Sequence, residues 1–131
     1  MNLELLVVAL VVAKAVDWIV QSQWQAENKT KKLVALWGHS MWYSITTTII
    51  LIIIFGNIFN ANSYRQMLFF LGLFVSHMII DNRWIVKQIM IHVRHLTKEQ
   101  VYGVEQKWAW LEVGIDQRLH DLVIVALVLV I

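Results

Sequence analysis

The side chains with the greatest chemical capacity in this sequence recur at helical spacing. Asp17 and Gln21, His77 and Asp81, and Asp116 and His120 are each four residues apart, and a helix carries positions i and i+4 on one face. His39 adds a further imidazole, and Gln117 adjoins Asp116. Imidazole and carboxylate are the ligands that zinc, manganese or iron take where thiolate is missing, and the chain has no cysteine. His39, His77, Asp81, Asp116 and His120 therefore form a candidate ligand set for a divalent metal ion, with Asp17 as a sixth member. An ion held by three or four such ligands, with one position open, lowers the pKa of bound water to about 7 and supports hydrolysis. Gln21 and Gln117 are candidates to orient ligands or substrate, and Lys29, Lys14 or Arg118 to hold a phosphate or carboxylate.

The elements that must position these residues read as membrane spans. Of 131 residues, 59% are hydrophobic, and there is no proline. The mean hydropathy is +0.62, far from the balance of a soluble domain. A hydrocarbon core about 30 Å thick takes about 20 mostly apolar residues per helix. That length finds four spans, roughly Asn2–Gln21, Lys32–Phe55, Gln66–Trp84 and Ala109–Ile131, in a single domain. The connections are polar Ser22–Lys31, Gly56–Arg65, and Ile85–Trp108, where apolar and basic residues mix as in an amphipathic helix lying at the interface. Leu3–Val20 has no basic leader and ends on Asp17, Trp18 and Gln21 instead of small residues, so it is expected to be a helix of the mature protein and not a signal peptide.

Lysine and arginine in short loops set orientation. The first connection holds Lys29, Lys31 and Lys32, and the third, with the end of span three, holds Arg83, Lys87, Arg94, Lys98 and Lys107. The second offers only Arg65. Loops one and three are thus expected on the cytoplasmic side of an inner membrane, with both termini outside. Trp18, Trp24, Trp37, Trp42, Trp84, Trp108 and Trp110 fall near the ends that this topology gathers, as an interfacial aromatic belt does.

On that topology Asp17, Gln21, His39, His77, Asp81, Asp116, Gln117, His120 and Asp121 share one half of the bilayer. A carboxylate inside the membrane costs about 2.5 to 3.5 kcal/mol on an insertion scale, whereas an interhelical polar contact returns about 0.6 kcal/mol on average. Helix packing alone does not call for so many. The competing reading is a non-catalytic polar cluster that organises the bundle or a partner interface. A proton or ion pathway uses the same residue types, but Leu5–Val12, Ile49–Phe55, Met67–Val75 and Leu122–Ile131 offer no ionisable relay across the other half, and Thr46, Thr47, Thr48 and Asn57 are the only polar steps along span two towards the outside. Gly38-His39-Ser40 lacks the second glycine of a nucleophile elbow, since Trp42 stands there. His92 and His95, and Lys98, Glu99, Glu105 and Lys107, read as solvated faces. No haem, nucleotide or HExxH signature is present.

The Asp17-x-x-x-Gln21 helix end, Asn28-Lys29, lone His39, His77-x-x-x-Asp81 and Asp116-Gln117-x-x-His120 together resemble the domain-of-unknown-function 3307 family of small bacterial and phage membrane proteins. Where members often carry a histidine one turn before the first aspartate, this chain has Ala13 beside Lys14. The resemblance spans essentially the whole chain and implies a four-helix membrane fold with no established activity. The expected architecture is all-α, a four-helix membrane bundle. Its expected partners are the lipid bilayer and a second copy or another membrane protein. The net charge of +2 gives no footing for nucleic acid. A topology reporter fused after Ile131 should read the outside; a cytoplasmic signal there overturns the orientation.

Overall fold

A computed structural model describes residues 3–56, 63–103 and 107–130. Among them the secondary structure is entirely helical: α1 Leu3–Val20, α2 Gln23–Asn28, α3 Leu33–Ile54, α4 Ser63–Asp81, α5 Trp84–His92, α6 Lys98–Tyr102 and α7 Ala109–Val130. The four long helices pack in a closed ring, α1 on α3, α3 on α4, α4 on α7 and α7 back on α1. Residues from the end of α1, the start of α3 and the end of α4 meet one another, so successive long helices run up and down.

Each long helix buries one stripe. In α1 it is Leu5, Ala9, Ala13 and Val16; in α4 it is Phe69, Leu73, His77, Ile80 and Asp81. Steps of three and four residues are what a 3.6-residue turn needs to keep one face inward. Small residues bring the axes close: Ala9 is fully enclosed, and a Cβ on Gly72 would run into Leu127 of α7. One core cluster joins Leu5, Ala9, Leu51, Phe69, Leu73, Ile124 and Val128, and a smaller one joins Ile80, Val86 and Met90 beneath α5.

Polar side chains share the interior with apolar ones, and many large apolar side chains are exposed. The buried set includes His39, Ser40, Ser44, Thr47, Thr48, His77, Asp81 and Asp116, while Val7, Val11, Ile49, Ile53, Leu71, Val75, Ile79 and Leu122 are exposed. Soluble proteins rarely leave contiguous apolar surface on this scale. Of the described helices, α3 and α4 are long and apolar enough to cross a membrane. The other two expected spans carry more charge, with Glu4, Lys14 and Asp17 in α1 and Glu112, Asp116, Arg118 and Asp121 in α7.

The connections differ from the sequence expectation in detail. The polar first connection contains α2, started by Ser22, whose hydroxyl accepts from the Gln25 amide while the Gln25 side chain accepts from the Ser22 amide. The segment expected to be one amphipathic helix is divided into α5 and α6, separated by a left-handed residue at His95 and restarted by a second capping box at Thr97 and Gln100. The α4 helix stops at Asp81, so Trp84 opens α5 instead of closing a span. Asn57 and Glu105, and the Asn2 and Ile131 ends of the outer spans, lie outside the described residues.

Overpacking the α1 stripe tests this arrangement. Ala9→Leu should destabilise the bundle by about 1–3 kcal/mol in a denaturant titration of the detergent-solubilised protein, and Val11→Leu on the exposed face should leave the midpoint in place.

Candidate metal centre

Four helices deliver the cluster through their local structure. Asp17 lies in the last turn of α1, and Gln21 falls just past the helix end at Val20. His39 is in the second turn of α3, where Ala35, Leu36, His39, Ser40 and Tyr43 form the buried face. His77 and Asp81 continue the Phe69–Leu73 stripe of α4 at four-residue steps, so the face that packs the apolar half also carries the polar half. In α7, Asp116 precedes Ile124 and Val128 on the same inward face.

The functional atoms converge on one point. His39 Nε2 lies 3.0 Å from Asp17 Oδ1, 3.3 Å from Asp81 Oδ2 and 3.0 Å from His77 Nε2. His77 Nε2 lies 3.3 Å from Asp81 Oδ2 and 3.6 Å from Asp17 Oδ1. An imidazole Nε2–H points in one direction and serves one acceptor well. Here each Nε2 faces two carboxylate oxygens and another ring nitrogen, a concentration of nitrogen and oxygen donors of the kind that can hold a cation. Metal–ligand distances of about 2.0–2.2 Å place tetrahedral ligand atoms ~3.3–3.6 Å apart, which is the scale of these separations.

Packing and hydrogen bonds fix the rings. Tyr43 stacks on His77 with centroids 3.9 Å apart and planes 18° from parallel. His120 Nδ1 is 2.9 Å from the Asp116 carbonyl oxygen, which can only accept, so the proton is on Nδ1 and Nε2 carries the lone pair. That Nε2 is buried without a hydrogen-bond partner, 3.7 Å from Asp81 Oδ1. Two groups of ligand atoms therefore can hold a metal ion, Asp17 with His39 and His77, and His77 with Asp81 and His120, each within 4.8 Å of one another. Asp116 belongs to neither group. Its Oδ1 is buried without a hydrogen-bond partner, 3.7 Å from His120 Nδ1.

Charge is arranged around the same point. Asp81, 1% exposed, pairs with Lys29 Nζ at 2.8 Å, and Lys29 is delivered there as the residue that ends α2. At the ligand atoms, Asp17 and Asp81 against Lys29 leave one formal negative charge, and Asp116 adds another on the adjoining wall. A cleft of about 240 Å³ opens beside the cluster, lined by Asp17, Trp18, Gln21, Ala26, Lys29, Arg83, Val113, Asp116 and Gln117.

Of the residues singled out in the sequence, Asp17, His39, His77, Asp81 and His120 are brought together, and Gln21, Lys29, Asp116 and Gln117 line the adjoining cleft. Lys14 and Arg118 instead pair with Asp121 on the outer side of α1 and α7. His92 and His95 are exposed on α5 and the turn after it, away from the cluster. Two participants carried no metal-ligand signal in the sequence. Tyr43 lies one turn after His39 on the same face, and Arg83 was read only as a loop charge. Arg83 has φ 61, caps α5 and pairs with Glu112 at 3.3 Å; the polar Asp81-Asn82-Arg83 run that ends α4 is the signal that marks it. No family model, curated protein or solved structure matches the chain.

Removing one partner of a buried ion pair leaves the other charge uncompensated and costs about 3–5 kcal/mol. Lys29→Met should therefore lower unfolding stability in chelator by about that amount, and the Lys29→Met/Asp81→Asn pair should recover most of it; equal loss in the double variant would show that the pair is not coupled.

Proposed function

We propose that this chain is a multi-pass membrane protein whose buried His/Asp cluster holds a divalent metal ion for hydrolysis at the cytoplasmic side of the bilayer. The observation that carries the metal reading is the meeting of His39 Nε2 and His77 Nε2, 3.0 Å apart, with Asp17 Oδ1 and Asp81 Oδ2, each carboxylate oxygen lying 3.0–3.6 Å from both ring nitrogens. The exposed Val, Ile, Leu and Trp side chains and the two helices long and apolar enough to cross support the membrane reading. All four long helices cross in this reading. Of the charged residues of α1 and α7, Asp17 and Asp116 face the bundle, Lys14 and Arg118 are paired with Asp121, and Glu4 is exposed at the end of α1 opposite Trp18. The resemblance to the domain-of-unknown-function 3307 family agrees with this arrangement.

Zinc, manganese and iron all accept this donor set, and such an ion supplies Lewis acidity and a more acidic water. The chain's own residues do the rest. Asp17, His39 and His77 would hold the ion, or His77, Asp81 and His120 on the Asp81 side. Lys29 holds the Asp81 carboxylate in place through its short ion pair. Asp116 Oδ1, free of hydrogen bonds and on the cleft wall, takes the proton of the attacking water. Gln21 and Gln117 orient the bound group. Asp121 is outside this machinery, since it neutralises Lys14 and Arg118.

Metal analysis of untagged, detergent-purified protein tests the reading. A near-stoichiometric transition metal is expected, reduced by well over tenfold in His39→Ala and His77→Ala and unchanged in His92→Ala. Protein that stays folded and takes up no metal after reconstitution would leave the cluster as a closed charge network that holds the bundle together.

A further inference from the structure

The cleft beside the cluster has a chemistry of its own. Two of its side chains carry donors that are shut off from water and meet no acceptor, Gln21 Nε2 and Arg83 Nε. The Lys29 ammonium lies on the same wall, with one of its three protons committed to Asp81. These donors come from three places in the chain, the end of α1, the end of α2 and the turn between α4 and α5. Burying a donor without an acceptor is unfavourable, and Arg83 in addition adopts a left-handed backbone that residues with a Cβ disfavour. Its guanidinium, anchored to Glu112 through Nη1, is held at the cleft.

We infer that this cleft binds the phosphate group of the substrate, with Gln21, Lys29 and Arg83 as its donors. Three donors from three directions suit the oxygens of a tetrahedral anion better than the two of a planar carboxylate. The space of about 240 Å³ exceeds the roughly 30 Å³ of one water several times over and admits a phosphate with its ester arm. Asp17 and Asp116 share the wall, so the anion is repelled until a cation lies behind Asp17. Phosphate and metal therefore bind cooperatively. Trp18, 80% exposed, and Val113 form the rim and continue into the apolar outer surface. The phosphate can thus arrive on a lipid or from solution. This names the substrate class of the site proposed above and rests on that reading.

Equilibrium dialysis of radiolabelled inorganic phosphate against the full chain in detergent, with and without zinc, tests it. Affinity should be about tenfold or more weaker in Arg83→Gln and several-fold weaker in Gln21→Ala, with metal content kept in both. Gln21→Ala removes no ion pair, so it decides the matter if Arg83→Gln does not fold. Metal bound as expected with phosphate affinity equal in wild type and both variants overturns the phosphate site and leaves the metal centre standing. No metal bound, but phosphate affinity lowered in both variants, overturns the metal centre and keeps the phosphate site. Displacement of the label by phosphatidic acid in nanodiscs assigns the lipid source, and its retention there assigns the soluble one.

Discussion

Asp81 is the charge around which the bundle is organised. A carboxylate that is 1% exposed inside a helix ring is costly unless opposite charge and hydrogen-bond donors surround it. Asp81 draws those groups from several helices. Lys29 comes from the end of α2 at 2.8 Å, His39 from α3 at 3.3 Å and His77 from its own helix at 3.3 Å. The α1 helix joins one atom further on, through Asp17 to His39. Each contact depends on helix rotation, since one residue of slip turns a side chain by about 100°. The polar cluster therefore fixes the register that the interchangeable Leu, Val and Ile contacts of the apolar half leave loose.

The two halves of the bundle divide the work. Toward one end, Leu5, Ala9, Leu51, Phe69, Leu73, Ile124 and Val128 fill the interior and supply packing without direction. Toward the other, the same inward stripes carry Asp17, His39, His77 and Asp116, with Tyr43 as the joint between the two, stacked on His77 and counted in the apolar core. Because the stripe is continuous along each helix, the apolar half holds the polar residues at fixed height and angle. That packing keeps His39 Nε2, His77 Nε2 and Asp17 Oδ1 3.0–3.6 Å apart.

The ligand-bearing faces were legible in the sequence because i, i+4 spacing is a property of the helix alone: His77/Asp81 and Asp116/His120 share a face in any helical context. Which pairs meet across helices was less legible, for it depends on the depth at which each helix is cut. Asp116 and Asp81 looked equivalent as carboxylates, yet Asp81 belongs to a ligand group and Asp116 faces the cleft. The connections were misread where polar composition outweighed capping chemistry. Ser22-x-x-Gln25 and Thr97-x-x-Gln100 are both capping boxes that start short helices. Arg83 was invisible as a site residue because its position comes from a left-handed turn, and an arginine there runs against residue preference.

The short elements that sequence patterning undervalued are the ones that turn a buried cluster into an accessible one. Four long helices alone would close the polar half as they close the apolar half. Instead α2 is capped so that it ends on Lys29 beside Asp81. The turn after α4 sets Arg83 against Glu112 of α7. Lys29 and Arg83 both line the cleft, with side chains from α1 and α7 and from the segment around α2. Lys29 belongs to both regions, as counter-charge to the sealed carboxylate and as a donor on the cleft wall. What enters the cleft therefore acts on the same ammonium that steadies Asp81. Occupancy of the mouth and electrostatics of the interior are thereby coupled through one side chain.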